Sequence, residues 1–176
     1  MTLTEELDSH IRAVADFPIP GIMFRDISPV FLNPGLVRSC IRALAAPWKE
    51  MGITKVIGID SRGFLLGPQL AEELGAGFVM VRKKGKLPPE TVSVSYQLEY
   101  GEASLESVKD LFGPDDKVLI HDDLLATGGT AAAAAGLAAS EGARINGFCF
   151  IVGLPGLSGQ QNLLPYSNNI QTLIDF

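Results

Sequence analysis

Residues 118–130 read VLIHDDLLATGGT. The segment 117–121 (KVLIH) centres on three consecutive apolar residues, the pattern of a short strand buried on both faces. Two acids, Asp122 and Asp123, close it. A loop of small and hydroxyl-bearing residues follows, and an alanine-rich helix begins near residue 130. Strand, loop and helix in this order predict a unit of a parallel sheet, because parallel strands need a crossover that is usually helical.

Working outward, the same alternation recurs. Residues 55–60 (KVIGID), 76–81, 144–152 and 169–175 read as further strands. Residues 63–74 read as a helix in which Pro68 requires a late start or a kink. Leu3, Leu7, Ile11 and Val14 recur at helical spacing and predict a helix over 3–14 with Thr4 as its cap. A second helix is expected over 35–50. Residues 17–28 (FPIPGIMFRDIS) read as loop, because two prolines and a glycine interrupt regular structure. Residues 91–100 (TVSVSYQLEY) alternate strictly, a half-exposed strand with Val92, Val94, Tyr96, Leu98 and Tyr100 on one face. Gly101 invites a turn, and 103–112 reads equally as a returning strand or a short helix. The expected fold class is α/β, with a central, mostly parallel sheet flanked by helices. Ligands of such sheets sit beyond the carboxyl ends of the strands. Two ends carry chemistry: Asp60-Ser61-Arg62 and Asp122-Asp123.

The loop between strand and helix suits an anion. Thr127, Gly128, Gly129 and Thr130 offer backbone N–H groups at a helix N-terminus, where the helix dipole also favours negative charge. Asp122 and Asp123 would repel a phosphate lying beside them, so they face hydroxyls or a metal ion. A sugar phosphate satisfies both ends, with phosphate on the loop and ribose hydroxyls on the acids. The absence of a lysine after the glycines separates this loop from the Walker A type. Taken alone, each piece has a plainer reading. Asp122 and Asp123 are solvated acids, Thr130 a helix cap, Arg62 a partner of Asp60, Phe24 a core residue and Arg25 a partner of Asp26. The basic run Arg82, Lys83, Lys84 and Lys86 is then a solvated turn, and His121 a half-buried strand-edge side chain.

The thirteen-residue string resembles the phosphoribosyl-pyrophosphate (PRPP) signature of the type I phosphoribosyltransferases. Residues 17–29 (FPIPGIMFRDISP), 58–68 (GIDSRGFLLGP) and 81–100 (VRKKGKLPPETVSVSYQLEY) resemble, in the same order, the members of that family that use adenine. His121 departs from the resemblance, since an aliphatic residue is usual there.

The resemblance implies one phosphoribosyltransferase domain over 1–176. A small hood from about 1–34 would lie over the carboxyl ends of the strands, with a mobile loop over about 83–102. It implies transfer of the 5-phosphoribosyl group from PRPP to adenine, giving AMP and pyrophosphate. Asp122, Asp123, Ala126, Thr127, Gly128, Gly129 and Thr130 would bind PRPP. Asp60, Ser61, Arg62, Arg82, Lys83 and Lys86 would bind pyrophosphate. Ile22, Phe24, Arg25 and Leu125 would hold adenine. Glu99 and Arg62 are the expected catalytic residues, Glu99 managing a proton on the base. Magnesium (Mg2+) is expected as a cofactor carried by PRPP, with no direct protein ligand. Arg82 is expected near the partner subunit of a homodimer.

Composition narrows the alternatives. The chain has 176 residues and a formal net charge of −6, and 47% of its residues are hydrophobic, enough for a sizeable core. Its acidity disfavours wrapping a nucleic acid. That weighs against the alternative of a PRPP-sensing regulator that binds DNA or RNA; a third reading keeps the chemistry and changes the purine to xanthine or hypoxanthine. Two distant cysteines, Cys40 and Cys149, give neither a disulfide framework nor a zinc site. No apolar run approaches the length of a membrane helix, and the polar N-terminus is not a secretory signal, so no membrane association and a cytoplasmic location are expected.

Overall fold

The computed structural model describes residues 1–97 and 102–176, with Gln97 and Glu102 described by their backbone alone. Helix α1 (Leu3–His10) is capped by Thr2, two residues ahead of the expected Thr4. Thr2 accepts the Glu5 N–H on its hydroxyl, and the Glu5 carboxylate accepts the Thr2 N–H, a reciprocal cap that satisfies two otherwise orphaned donors. The helix ends at His10 rather than at 14. Residues beyond it form strand β1 (Arg12–Ala15), which pairs antiparallel with β2 (Met23–Asp26). This corrects the expected loop over 17–28. Pro18, Pro20 and Gly21 confine themselves to the connection and leave 23–26 free to pair. The Arg12 guanidinium meets the Asp26 carboxylate across the hairpin, and that carboxyl is held down at a pKa of about 2, chiefly by hydrogen bonds from Ser28.

Asn33 caps helix α2 (Pro34–Ala45), which tightens into a 3-10 turn at Ala46–Trp48 instead of running on to 50. Strand β3 (Lys55–Ile59) leads through a 3-10 turn at Arg62–Phe64 into α3 (Gly67–Leu74), whose Pro68 sits in the first turn where its missing N–H costs nothing. Then follow β4 (Gly77–Lys83), β5 (Thr91–Gln97) and β6 (Glu102–Val108), the last resolving the ambiguity of 103–112 as a returning strand. Strand β7 (Lys117–Leu125), helix α4 (Gly129–Ser140), β8 (Arg144–Gly153), the short α5 (Gly159–Leu163) and β9 (Ile170–Asp175) complete the chain.

The seven-stranded sheet has the order β5-β6-β4-β3-β7-β8-β9. Strands β4, β3, β7, β8 and β9 are parallel, and β6 and β5 add antiparallel to the β4 edge. Neighbouring residues of the central strands bury on opposite faces. Val56, Leu119 and Ile151 pack with α1, α2 and α3; Ile57, Ile120, Phe148 and Phe150 pack with the alanines of α4. Burial on both faces is why these strands read as continuous apolar runs.

Strand β7 was expected to end at the acids, but it runs on to Leu125. Its pairing with β3 stops at Gly58↔His121, whereas its pairing with β8 continues to Leu125↔Gly153. Asp122 and Asp123 therefore stand on an overhang above the end of β3. The crossover after β3 lies on one face of the sheet and the crossover after β7 on the other. The notch between these strands is thus the topological switch point, where such sheets bind ligands.

Candidate active site

The overhang bends into residues 126–130, which enclose a small concavity of about 190 Å³ bounded by Arg62, by Asp122 to Ala131 and by Phe150. All seven residues expected to bind PRPP lie around it. Gly128 caps α4 with φ +77°, and a Cβ there would meet the Gly159 carbonyl oxygen at 2.4 Å. Only glycine combines that backbone conformation with that approach. The C-terminal part of the chain forms the backing of this loop. The Leu154 N–H donates to the Leu125 carbonyl, and Asn162 donates its side-chain N–H to the Thr127 carbonyl at 2.7 Å. With the carbonyl tied behind, the N–H groups at the start of α4 are left for a ligand.

A second cavity of about 550 Å³ adjoins the first, with Arg62, Asp122, Asp123 and Thr130 common to both. Asp60, Ser61, Lys83, Lys84, Tyr96 and Ser104 also line it. Arg62 Nε lies 3.1 Å from Asp123 Oδ2. The contact is an ion pair without a hydrogen bond, and among the described residues Asp123 Oδ2, in a side chain only 3% exposed, accepts none. Asp122 Oδ1 accepts the Asp123 N–H. Burial raises the pKa of both carboxyls. The adjacent Asp123 charge drives Asp122 further up, while Arg62 opposes the rise at Asp123. A buried acid pair with an unused oxygen is prepared to accept hydrogen bonds from hydroxyl groups.

Arg82 does not line either cavity. Its Nε donates to Asp60 Oδ2 at 3.0 Å, and it also donates to the Lys86 carbonyl. Lys86 lies outside both cavities, whereas Lys84, absent from the expected set, lines the larger one beside Lys83. Tyr96 and Ser104 were also missed. Tyr96 shares the inward face with Val92 and Val94, so the alternation placed it correctly, but nothing in the sequence brings its hydroxyl to 3.4 Å from Thr130 Oγ1. Among the residues expected to hold adenine, Leu125 lines the loop concavity and Ile22 is exposed in the hairpin connection. The Phe24 ring stacks edge-on to Phe17 and lies 5.6 Å from the Arg62 guanidinium, bringing the hairpin to the rim of the cavity. The Arg25 guanidinium lies over the Phe176 ring at 4.0 Å, and Asp26 pairs with Arg12 instead. Glu99 lies outside the described residues.

His121 is wholly buried, not half-buried at an edge. Its Nδ1 lies 3.1 Å from the Cys149 carbonyl oxygen, its Nε2 has no partner among the described residues, and burial lowers its pKa to about 4. It is a neutral core residue at pH 7, with no positive charge to offer Asp122.

A helix N-terminus suited to an anion, buried acids suited to hydroxyls and a basic flank fit the class of protein that holds a phosphorylated sugar bearing a further anionic group. A family model described as a phosphoribosyl transferase domain matches residues 33–166. The adenine phosphoribosyltransferase of Synechococcus sp. (strain JA-3-3Ab) is 52% identical over 161 residues, covering 91% of this chain and 92% of that protein. Among solved structures, the adenine phosphoribosyltransferase of Rhodothermus marinus DSM 4252 superposes with a TM-score of 0.93 at 49% identity, covering 99% of this chain and 98% of that one. The Giardia lamblia enzyme complexed with 9-deazaadenine gives 0.93 at 35% identity, covering 100% and 98%. The chain belongs to the phosphoribosyltransferase family and, within it, to the adenine phosphoribosyltransferases.

Proposed function

We infer that the protein transfers the 5-phosphoribosyl group of PRPP to adenine, forming AMP and pyrophosphate as a purine-salvage step. The observation that carries this reading is the single notch in which the 126–130 loop, the Asp122–Asp123 pair and the Arg62, Lys83 and Lys84 cations converge. The 5-phosphate takes the loop N–H groups and threonine hydroxyls, and the ribose hydroxyls take Asp122 and Asp123. Asp60-Ser61-Arg62 and the lysines receive the pyrophosphate. Arg62 leaves Asp123 for the phosphoryl oxygens, to which its planar fork is suited.

The C1–O bond to pyrophosphate breaks as a purine nitrogen forms the new C1–N bond, and positive charge develops at C1 between them. The protein's contribution is alignment and fixed charge at both ends of the displacement. Glu99 takes the role of managing the proton that the purine gives up. Phe24 and Leu125 supply apolar contact to the base, and the backbone of 22–25 reads its edge. The hood of about 1–34 and the loop of about 83–102 cover the reactants and exclude water.

Magnesium fits this donor set as an ion carried by the substrate. No group of three or more metal-binding side chains occurs among the described residues, but the unused Asp123 oxygen and the Asp122 carboxyl would face the ion through water or ribose hydroxyls. When bound, it neutralises pyrophosphate charge.

A homodimer fits the exposure of Leu65 and Met80, apolar side chains near the β3–β4 end of the site. The buried thiols of Cys40 and Cys149 suit a reducing cytoplasm, and no helix among the described residues is long and apolar enough to cross a membrane. The test is incubation with PRPP, Mg2+ and adenine, hypoxanthine, guanine or xanthine. AMP from adenine with at most traces of the other nucleotides is the expected result; a preferred nucleotide other than AMP overturns the assignment of the base.

A further inference from the structure

Three consecutive N–H groups of the basic turn converge on one oxygen. Glu106 Oε1 accepts from Gly85, Lys86 and Leu87 at 2.9, 3.2 and 3.2 Å, and Oε2 accepts from the Thr91 hydroxyl at 3.4 Å. Glu106 is only 4% exposed. In the β4–β6 ladder it stands directly opposite Arg82, yet the two charges do not pair. Arg82 reaches Asp60 and the Lys86 carbonyl, and no ion pair involves Glu106 among the described residues. The turn is therefore gripped twice, at its amides by Glu106 and at its Lys86 carbonyl by Arg82. Gly85, at φ +85°, supplies the left-handed step that turns successive N–H groups to one side. Such nests usually bind external anions; this one is filled by a carboxylate of the chain itself. A buried carboxylate is stable only with this degree of compensation.

The arrangement bears on the pyrophosphate end of the site, provided that the cavity is the PRPP site. Lys83 and Lys84 line that cavity, and the turn that Glu106 holds begins immediately after them. An acid free beside this turn would cancel a lysine charge and repel pyrophosphate. Held by backbone N–H groups, it makes no ion pair with either lysine among the described residues, and it fixes the chain that carries them.

We propose that Glu106 is a positioning residue for pyrophosphate recognition: it anchors the 85–87 turn so that Lys83 and Lys84 are held at the cavity. The variants are Glu106→Ala, which removes every acceptor, and Glu106→Gln, which keeps Oε1. Amide hydrogen exchange at 85–87 is protected in the wild type, accelerated in the alanine variant and intermediate in the glutamine variant. In steady-state assays Glu106→Ala raises the KM for PRPP and the inhibition constant of pyrophosphate by about tenfold, with the KM for adenine within about twofold, as loss of several charge-assisted bonds at one end of the site requires. Glu106→Gln recovers most of that loss, and it carries the test if the alanine variant does not fold.

An unchanged PRPP KM in a folded Glu106→Ala, or equal rises for PRPP and adenine, overturns the positioning role. Failure of the wild type to bind PRPP overturns the substrate reading and the positioning role with it; protection at 85–87 then shows Glu106 to be a structural anchor only.

Discussion

Asp122 and Asp123 are adjacent in sequence but sit differently. Asp123 is the more buried and faces Arg62 with an oxygen that accepts no hydrogen bond among the described residues, while Asp122 accepts its neighbour's N–H. Asp123→Asn is expected to raise the KM for PRPP or slow turnover by about ten- to a hundredfold, the scale of one hydrogen bond to a charged group. The circular dichroism and melting profile should stay close to wild type. Wild-type kinetics in that variant would show that the ribose does not use Asp123. Removing this negative neighbour also lowers the Asp122 pKa, because the Asp123 charge is one of the causes that raise it; carboxyl titration by NMR reads the shift. Glu99→Ala is expected to reduce kcat by about a hundredfold, within the usual contribution of general acid–base groups, with much less effect on PRPP affinity. Equal turnover in that variant would remove the proton role. The acid pair and Arg62 were legible because chemistry-bearing residues at strand ends are conspicuous in sequence. Lys84 in place of Lys86 was not legible, since which lysine of a turn faces a cavity depends on how Glu106 and Arg82 fold that turn.

At the scale of the element, the 126–130 loop depends on a partner far away in sequence. Asn162→Ala removes the bond to the Thr127 carbonyl. It is expected to raise the KM for PRPP by about three- to tenfold, the worth of roughly 1 kcal/mol, without changing the KM for adenine. Gly128→Ala places a methyl group 2.4 Å from a backbone oxygen at a strained φ. Isothermal titration with PRPP should show binding lost or weakened well beyond the Asn162→Ala variant, with a lowered melting temperature. The glycines of the loop announced themselves in sequence, but the residues bracing them did not. Residues 153–163 carry no signature of their own and matter only where the sheet brings β8 and α5 against the loop. The hairpin of β1 and β2 escaped for a related reason. Leu7 and Ile11 are buried at helical spacing, but Val14, the next residue of that pattern, is 40% exposed. Pairing with residues 23–26 overrides the local preference, and a periodicity count cannot see a partner across a proline-rich turn.

For the whole molecule, His121 links the core to pH. Its pKa is lowered to about 4 from an ordinary 6.5, so between these values the unfolded chain binds more protons than the folded one. Stability from keeping the imidazole neutral is fully present above pH 6.5 and is lost as pH falls toward 4. Relative to His121→Val, the wild type is expected to lose on the order of 2–3 kcal/mol over that interval. Urea unfolding of both proteins at pH 7, 5.5 and 4 checks this; parallel pH profiles would mean that His121 is not desolvated. The sequence alone determined the α/β class, the order of strands and helices through the centre, and the glycine-rich loop after the acid pair. These rest on local signals: apolar runs of strand length, glycine's conformational freedom and the charge of neighbouring side chains. The tertiary structure alone decided which faces and ends meet. It set the register that leaves Asp122 and Asp123 on an overhang above β3, buried His121, braced the loop with Asn162 and turned Glu106 onto a distant turn. Each is a contact between segments remote in sequence, and its energy comes from burial and hydrogen-bond geometry that exist only once the sheet has formed.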